Sequence, residues 1–289
     1  MKIAIVTDSN SGITPQAAKK LGVTIIPMPF LINGEEYFEE VNLTQQEFYQ
    51  KLAAGADVST SQPSIFGVVD TWKELLKTHD EVIHIPMSSG LSASCETAMG
   101  FAKEFGGKVR VIDNHRISIT QKQSVRDAVK LASEGKTGKE IEEFLYATSM
   151  QASIYIMVTT LKYLKKGGRV TPAAAAIGSL LKIKPVLQIQ GEKLDKFAQV
   201  ISTSQGKKRM IDRIANDIET RFSDLAKSGH LQIAFAHTNC KEKCEEFMAE
   251  AQQVLGKYNV PFVDLDPLSL SVSCHIGDGS IAVACMYKY

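Results

Sequence analysis

Short continuous apolar runs at residues 3–7, 23–26, 82–85 and 109–112 have the length of buried strands. Between them, apolar residues three or four apart at 66–77, 94–105 and 123–133 predict helices, and Thr14-Pro15 reads as a helix cap with proline in the first turn. This alternation predicts a mostly parallel sheet with helices on both faces, a three-layer α/β/α domain. After a further helix at 138–150 the pattern changes. Strand-like stretches at 154–159, 183–189, 231–237 and 280–286 are separated by helical segments at 173–181, 207–226 and 241–258, which predicts a second α/β domain with a mixed sheet. The expected domains are 1–150 and 151–289. In open α/β sheets ligands bind where strands end and helices begin, so the loops after the strands are where function is sought.

Composition narrows the function classes. The 289 residues are 44% hydrophobic and 22% charged, those of an ordinary globular chain, and the formal net charge of +1 supplies no broad basic field for DNA or RNA. No apolar run approaches the roughly 20 residues that span a bilayer, and the opening Met1-Lys2-Ile3-Ala4-Ile5-Val6 is too short for a signal sequence. A cytoplasmic location is expected. The five cysteines are odd in number and form no secreted framework, which suits a reducing compartment. His237, Cys240 and Cys244 suggest three ligands near a helix start, but a structural zinc site wants four, so no metal is expected.

The chemistry in the loops is that of anion binding by hydroxyls and amides. Ser59-Thr60-Ser61-Gln62-Pro63-Ser64 precedes the helix that carries Trp72. Met87-Ser88-Ser89-Gly90-Leu91-Ser92-Ala93-Ser94 joins a strand to the next helix. Each places hydroxyls and free N–H groups at a helix start, where an anion is favoured. Either loop alone reads more readily as a helix cap; two together point to one carboxylate. His275-Ile276-Gly277-Asp278-Gly279 adds an imidazole beside glycines that permit close approach. Lys165-Lys166-Gly167-Gly168-Arg169 has the form of a helix stop that presents a guanidinium, suited to phosphate or to a carboxylate surface, and by composition alone reads at least as well as a solvated loop.

Together with Gly178-Ser179-Leu180-Leu181-Lys182-Ile183-Lys184-Pro185, Val6-Thr7-Asp8-Ser9 and Val111-Ile112-Asp113, these motifs resemble in order and spacing the DegV family over nearly the whole chain. The resemblance implies a two-domain protein with one long-chain fatty acid buried between the domains, acting as the non-catalytic binding subunit of a separate fatty acid kinase. It puts the carboxylate ligands on Thr60, Ser92 and His275, with Ser61 and Ser89 in support and Arg169 as the contact to kinase or phosphate. It implies no cofactor beyond the lipid ligand and allows transient contact with a membrane surface. Ala93-Ser94 and Gly277-Asp278-Gly279 depart from the Gly-Thr and Gly-Pro-Gly common in the family, and 114–123 replaces a Ser- and Gly-rich stretch. Two other functions compete with the family reading. One is an acyl transferase or hydrolase, with Cys95 as a dipole-favoured thiolate and His275 as base. The other is nucleotide binding, but the sequence has neither a Gly-x-x-x-x-Gly-Lys-Ser/Thr loop nor a Gly-x-Gly-x-x-Gly after a strand.

Overall fold

The computed structural model describes residues 1–177, 183–191 and 193–289. These form two compact units, Met1–Met150 together with Tyr289, and Gln151–Lys288. The motif expected at 178–185 and the end of the helix expected at 173–181 fall in part outside the described residues.

The first unit holds β1 (Ile3–Asp8), β2 (Val23–Ile26), β3 (Pro29–Ile32), β4 (Glu35–Phe38), β5 (Val58–Thr60), β6 (Glu81–Ile85) and β7 (Val109–Val111). Four of these make a fully parallel sheet in the order β2-β1-β6-β7. Because side chains alternate along a strand, each strand feeds two cores. Ile5, Ile83 and Ile85 join a cluster with Val125, Leu131, Ile141 and Leu145 from the helices Ser118–Ser133 and Gly138–Ala147. On the opposite face Ala4, Val6 and Val82 pack with Val68, Trp72, Cys95 and Ala98 from the helices Ile65–Leu76 and Ser94–Ala102. Two helical layers over one parallel sheet are the predicted three-layer arrangement.

A second, antiparallel sheet in the order β4-β3-β5 was not predicted. It changes the reading of the first Ser/Thr segment. Ser59 and Thr60 lie on β5, paired with Leu31 and Phe30 of β3, and the loop proper begins at Ser61.

The second unit contains β8 (Ala152–Met157), β9 (Lys184–Ile189), β10 (Asp195–Val200), β11 (Leu231–His237), β12 (Phe262–Pro267) and β13 (Ile281–Tyr287). The order is β10-β9-β8-β13-β11-β12; only β11 and β12 run parallel, so the sheet is mixed as predicted. Tyr155, Met157, Phe235, Val283 and Cys285 pack on Met210, Ile214 and Phe247 of the helices Thr203–Glu219 and Lys241–Leu255. Among the described residues no helix is long and apolar enough to cross a membrane.

Candidate functional site

In the first unit, residues 87–93 are held by polar groups from three directions. Asp8, at the end of β1, accepts from the Met87 N–H at 2.7 Å. Ser88 N–H donates to the Arg116 carbonyl at 2.9 Å, and Ser89 N–H to Asp113 Oδ1 at 3.3 Å. Within the loop, Leu91 and Ser92 N–H groups donate to the Ser88 carbonyl at 3.0 and 3.1 Å, a tight turn. Ser92 Oγ donates to Ser94 Oγ at 2.9 Å and accepts from the Ser94 N–H at 3.2 Å. The single Ser92 hydroxyl proton is thus taken by Ser94 in this geometry, and donation to a carboxylate requires the hydroxyl to turn away from Ser94.

Asp8 is only 2% exposed. Burial pushes its carboxyl up to about 6, against hydrogen bonds from Met87, Gln121 and Asn10 that lower it. Gln121 Nε2 donates to Asp8 Oδ1, Thr7 Oγ1 and the Ile85 carbonyl, tying the helix Ser118–Ser133 to the ends of β1 and β6. Residues 114–123, expected as a loop that differs from the family's, are instead largely buried structure. Arg116, 2% exposed, donates to the carbonyls of Thr148 and Ser149 and to Ser124, which in turn donates to Asn114.

The first Ser/Thr segment meets the helix that follows the second: Thr97 Oγ1 donates to Gln62 Oε1 at 3.2 Å. Beside Gln62 and Ser94 lies a narrow cleft whose enclosed space is about 10 Å³, room for roughly one water molecule. Its walls are mainly apolar, with Ile26, Met28, Pro63, Ile65, Val68 and Ala98, and its polar members are Asp8, Gln62, His84, Ser94 and Thr97. Thr60 and Ser89 are half-buried and Ser61 is exposed.

Cys95 does not have the thiolate character expected of it. The residue is fully buried in the apolar cluster with Trp72 and Ala98. Burial first, then the carboxylates of Asp113, Asp8 and Glu96, push its thiol up to about 12. The helix start that was expected to favour the anion is outweighed by lost solvation.

In the second unit, the Gly-Gly-Arg and His-x-Gly motifs explain one another. A Cβ on Gly167 would fall 2.2 Å from His275 Nδ1, so the imidazole rests against bare backbone at the end of the helix Lys162–Gly167. Gly168 then stops that helix with φ 69°. Gly277 caps the helix Leu270–Ile276 at φ 78° and ψ −172°, a conformation for glycine, where a Cβ would press the Tyr163 ring at 3.0 Å. Arg169 Nη1 donates to the Gly167 carbonyl. Burial, with the Arg169 charge, lowers the His275 imidazole to about 4, so at neutral pH it carries one N–H and no charge. Asp278 is exposed and its carbonyl accepts from Thr159 Oγ1 at 2.7 Å.

His237 Nδ1 accepts from the Cys240 N–H at 3.3 Å, and Cys244 Sγ donates to the Ala236 carbonyl at 3.5 Å. Among the described residues no group of His, Cys, Asp or Glu is arranged to hold a metal.

Sequence reasoning missed Asp8 as the anchor of the second loop, Gly167 as the seat of His275, and His84 in the pocket wall. The first has a faint signal, an acidic residue ending a strand; the other two depend on tertiary contacts.

The sequence model of the DegV family, described as an uncharacterised protein of that family, matches residues 2–288. A DegV domain-containing protein of Deinococcus radiodurans is 32% identical over 285 residues, covering 98% of each chain. A fatty-acid-binding DegV family protein from Thermus thermophilus superposes with a TM-score of 0.87 at 26% identity, over 99% of this chain and 100% of that one. DegV of Bacillus subtilis, described as a fatty acid binding protein, gives 0.82 at 28% identity over 100% of each. With a family match over almost every residue and solved relatives of the same fold over their full length, this chain belongs to the DegV family.

Proposed function

We propose that this protein binds one long-chain fatty acid, as a carrier and not as a catalyst. The observation that carries the reading is the narrow, mainly apolar cleft beside Gln62 and Ser94, in a chain whose full-length relatives from Thermus thermophilus and Bacillus subtilis are fatty-acid-binding proteins. Each methylene withdrawn from water contributes about 0.8 kcal/mol.

The carboxylate takes hydrogen bonds from the Thr60 and Ser92 hydroxyls and from His275, with Ser61 and Ser89 supporting. An ionised carboxylate leaves water only where such bonds replace its hydration. A neutral His275 suits this role, because it donates one hydrogen bond without adding a buried charge. Phe66, 74% exposed beside the pocket residue Ile65, suits transient contact with a membrane surface during uptake. Arg169 is the residue we assign to contact a separate fatty acid kinase or the phosphate it transfers. The protein works in the cytoplasm and needs no metal or other cofactor.

The test is mass spectrometry of the organic extract of purified protein, paired with binding measurements on Ser92→Ala. One equivalent of long-chain acid, bound about tenfold more weakly by the variant, is the expected result. Protein that neither retains nor binds such acids would refute it.

A further inference from the structure

The pocket wall holds a residue that a plain hydrocarbon chain does not call for. His84 lies in the middle of β6, in register with Val6 of β1 and Val111 of β7, and is 3% exposed. It lines the pocket, and its Nδ1 is buried with no hydrogen-bond partner among the described residues. The neighbouring Trp72 ring meets it edge-on at 5.6 Å between centroids, and Trp72 Nε1 is likewise buried and unpartnered. A valine or isoleucine, as on the flanking strands, would line an acyl pocket without leaving a polar atom unsatisfied. Such an atom in a cavity wall marks where a ligand's polar group belongs.

We infer that the pocket is built for an acyl chain bearing an oxygen substituent along its length, a hydroxyl being the simplest, and that His84 is the residue that recognises it. This rests on the fatty-acid reading and narrows its ligand class. The imidazole is uncharged, since burial lowers it to about 3, and so offers one N–H and one bare nitrogen. A hydroxyl donates and accepts, so it satisfies His84 in either tautomer. The indole N–H of Trp72 can only donate, so it is no substitute for the imidazole. A buried polar group left unpaired by the wrong ligand is also the strongest source of discrimination a site can have.

The experiment is a competition between stearic acid and a series of hydroxystearic acids differing in hydroxyl position, on wild type and on His84→Leu. At least one isomer is expected to bind wild type about five- to tenfold tighter than stearate, the worth of one hydrogen bond. In His84→Leu that preference disappears, the ratio of hydroxystearate to stearate affinity falling to about one. Stearate binding with no isomer preferred overturns the inference and leaves the fatty-acid reading standing, as would follow if a water molecule already serves His84. A preference that survives in His84→Leu overturns it too, because another residue then reads the hydroxyl. Should the variant fail to fold, the wild-type comparison alone decides. If no acid in the series binds at all, both readings fall.

Discussion

In residues 87–93 position comes from polar groups, while at His275 it comes from a side chain that is missing. The first loop hangs on Asp8, Asp113 and the Arg116 carbonyl; the imidazole settles against Gly167 because nothing projects there. Both carry residues proposed to bind the carboxylate, yet they fail differently. A donor fixed by charges responds to charge and pH, whereas one fixed by shape responds to volume. The substitutions below separate the two modes.

The largest effect is expected for Asp8→Ala, which leaves the Met87 and Asn10 N–H groups without their acceptor and removes one of the three acceptors of the Gln121 amide. Unsatisfied buried donors cost about 1–3 kcal/mol each, so denaturant unfolding should show a loss of about 2–4 kcal/mol, with fatty acid binding weakened in step. An unchanged midpoint would mean the loop holds its own shape. Gly167→Ala comes next. Overpacking costs about 1–3 kcal/mol, and the displaced imidazole should weaken acid binding at least as much as His275→Ala does. Equal binding by Gly167→Ala and wild type would show that the ring has room to move.

Titration sharpens the contrast, since the two regions have opposite signs. Asp8 has its folded value raised from 3.8 to about 6, so its contribution is full below 3.8 and is lost as pH rises through 6. His275 is lowered from 6.5 to about 4, so its contribution is full above 6.5 and is lost as pH falls through 4. Around pH 5 each difference is worth about 1.4 kcal/mol per pH unit. Asp8→Asn should therefore steepen the rise of stability with pH in this window, and His275→Gln should flatten it. Shifts of the same sign in both variants would remove the distinction. The smallest effects belong to single hydroxyls: Ser92→Ala is expected to weaken binding about tenfold and Thr60→Ala less, each leaving stability within about 1 kcal/mol.

What was legible in the sequence follows the same division. Turn chemistry is local, so the Ser/Thr loops and the glycine-rich stops could be read from neighbours in the chain. The parallel strands were legible because strands buried on both faces carry continuous apolar runs, as at residues 3–6 of the first strand. The small sheet was not. Glu35–Phe38 is polar and exposed at its start, and Val58–Thr60 has three residues, too few to set a period. The edge strands β10 and β12 were also missed, because Asp195, Lys196, Asp264 and Asp266 break their apolar runs as edge charges commonly do. The role of His84 is invisible in Glu81-Val82-Ile83-His84-Ile85, since only the pocket shows which face it meets.

The order β8-β13-β11 has a consequence for how the chain assembles. The parallel sheet of the first unit has all its strands once Val111 has left the ribosome. The mixed sheet does not. Its interior strand β13 pairs Ile281 with both Met157 and His237, so β8 and β11 wait with open edges until residues 281–287 are made. Pairings so distant in sequence close slowly, and unpaired edges are where chains associate wrongly. Synthesis therefore passes through an interval in which a first unit complete but for Tyr289 is joined to an aggregation-prone second one, and the rate at which the last strand is delivered sets how long it lasts.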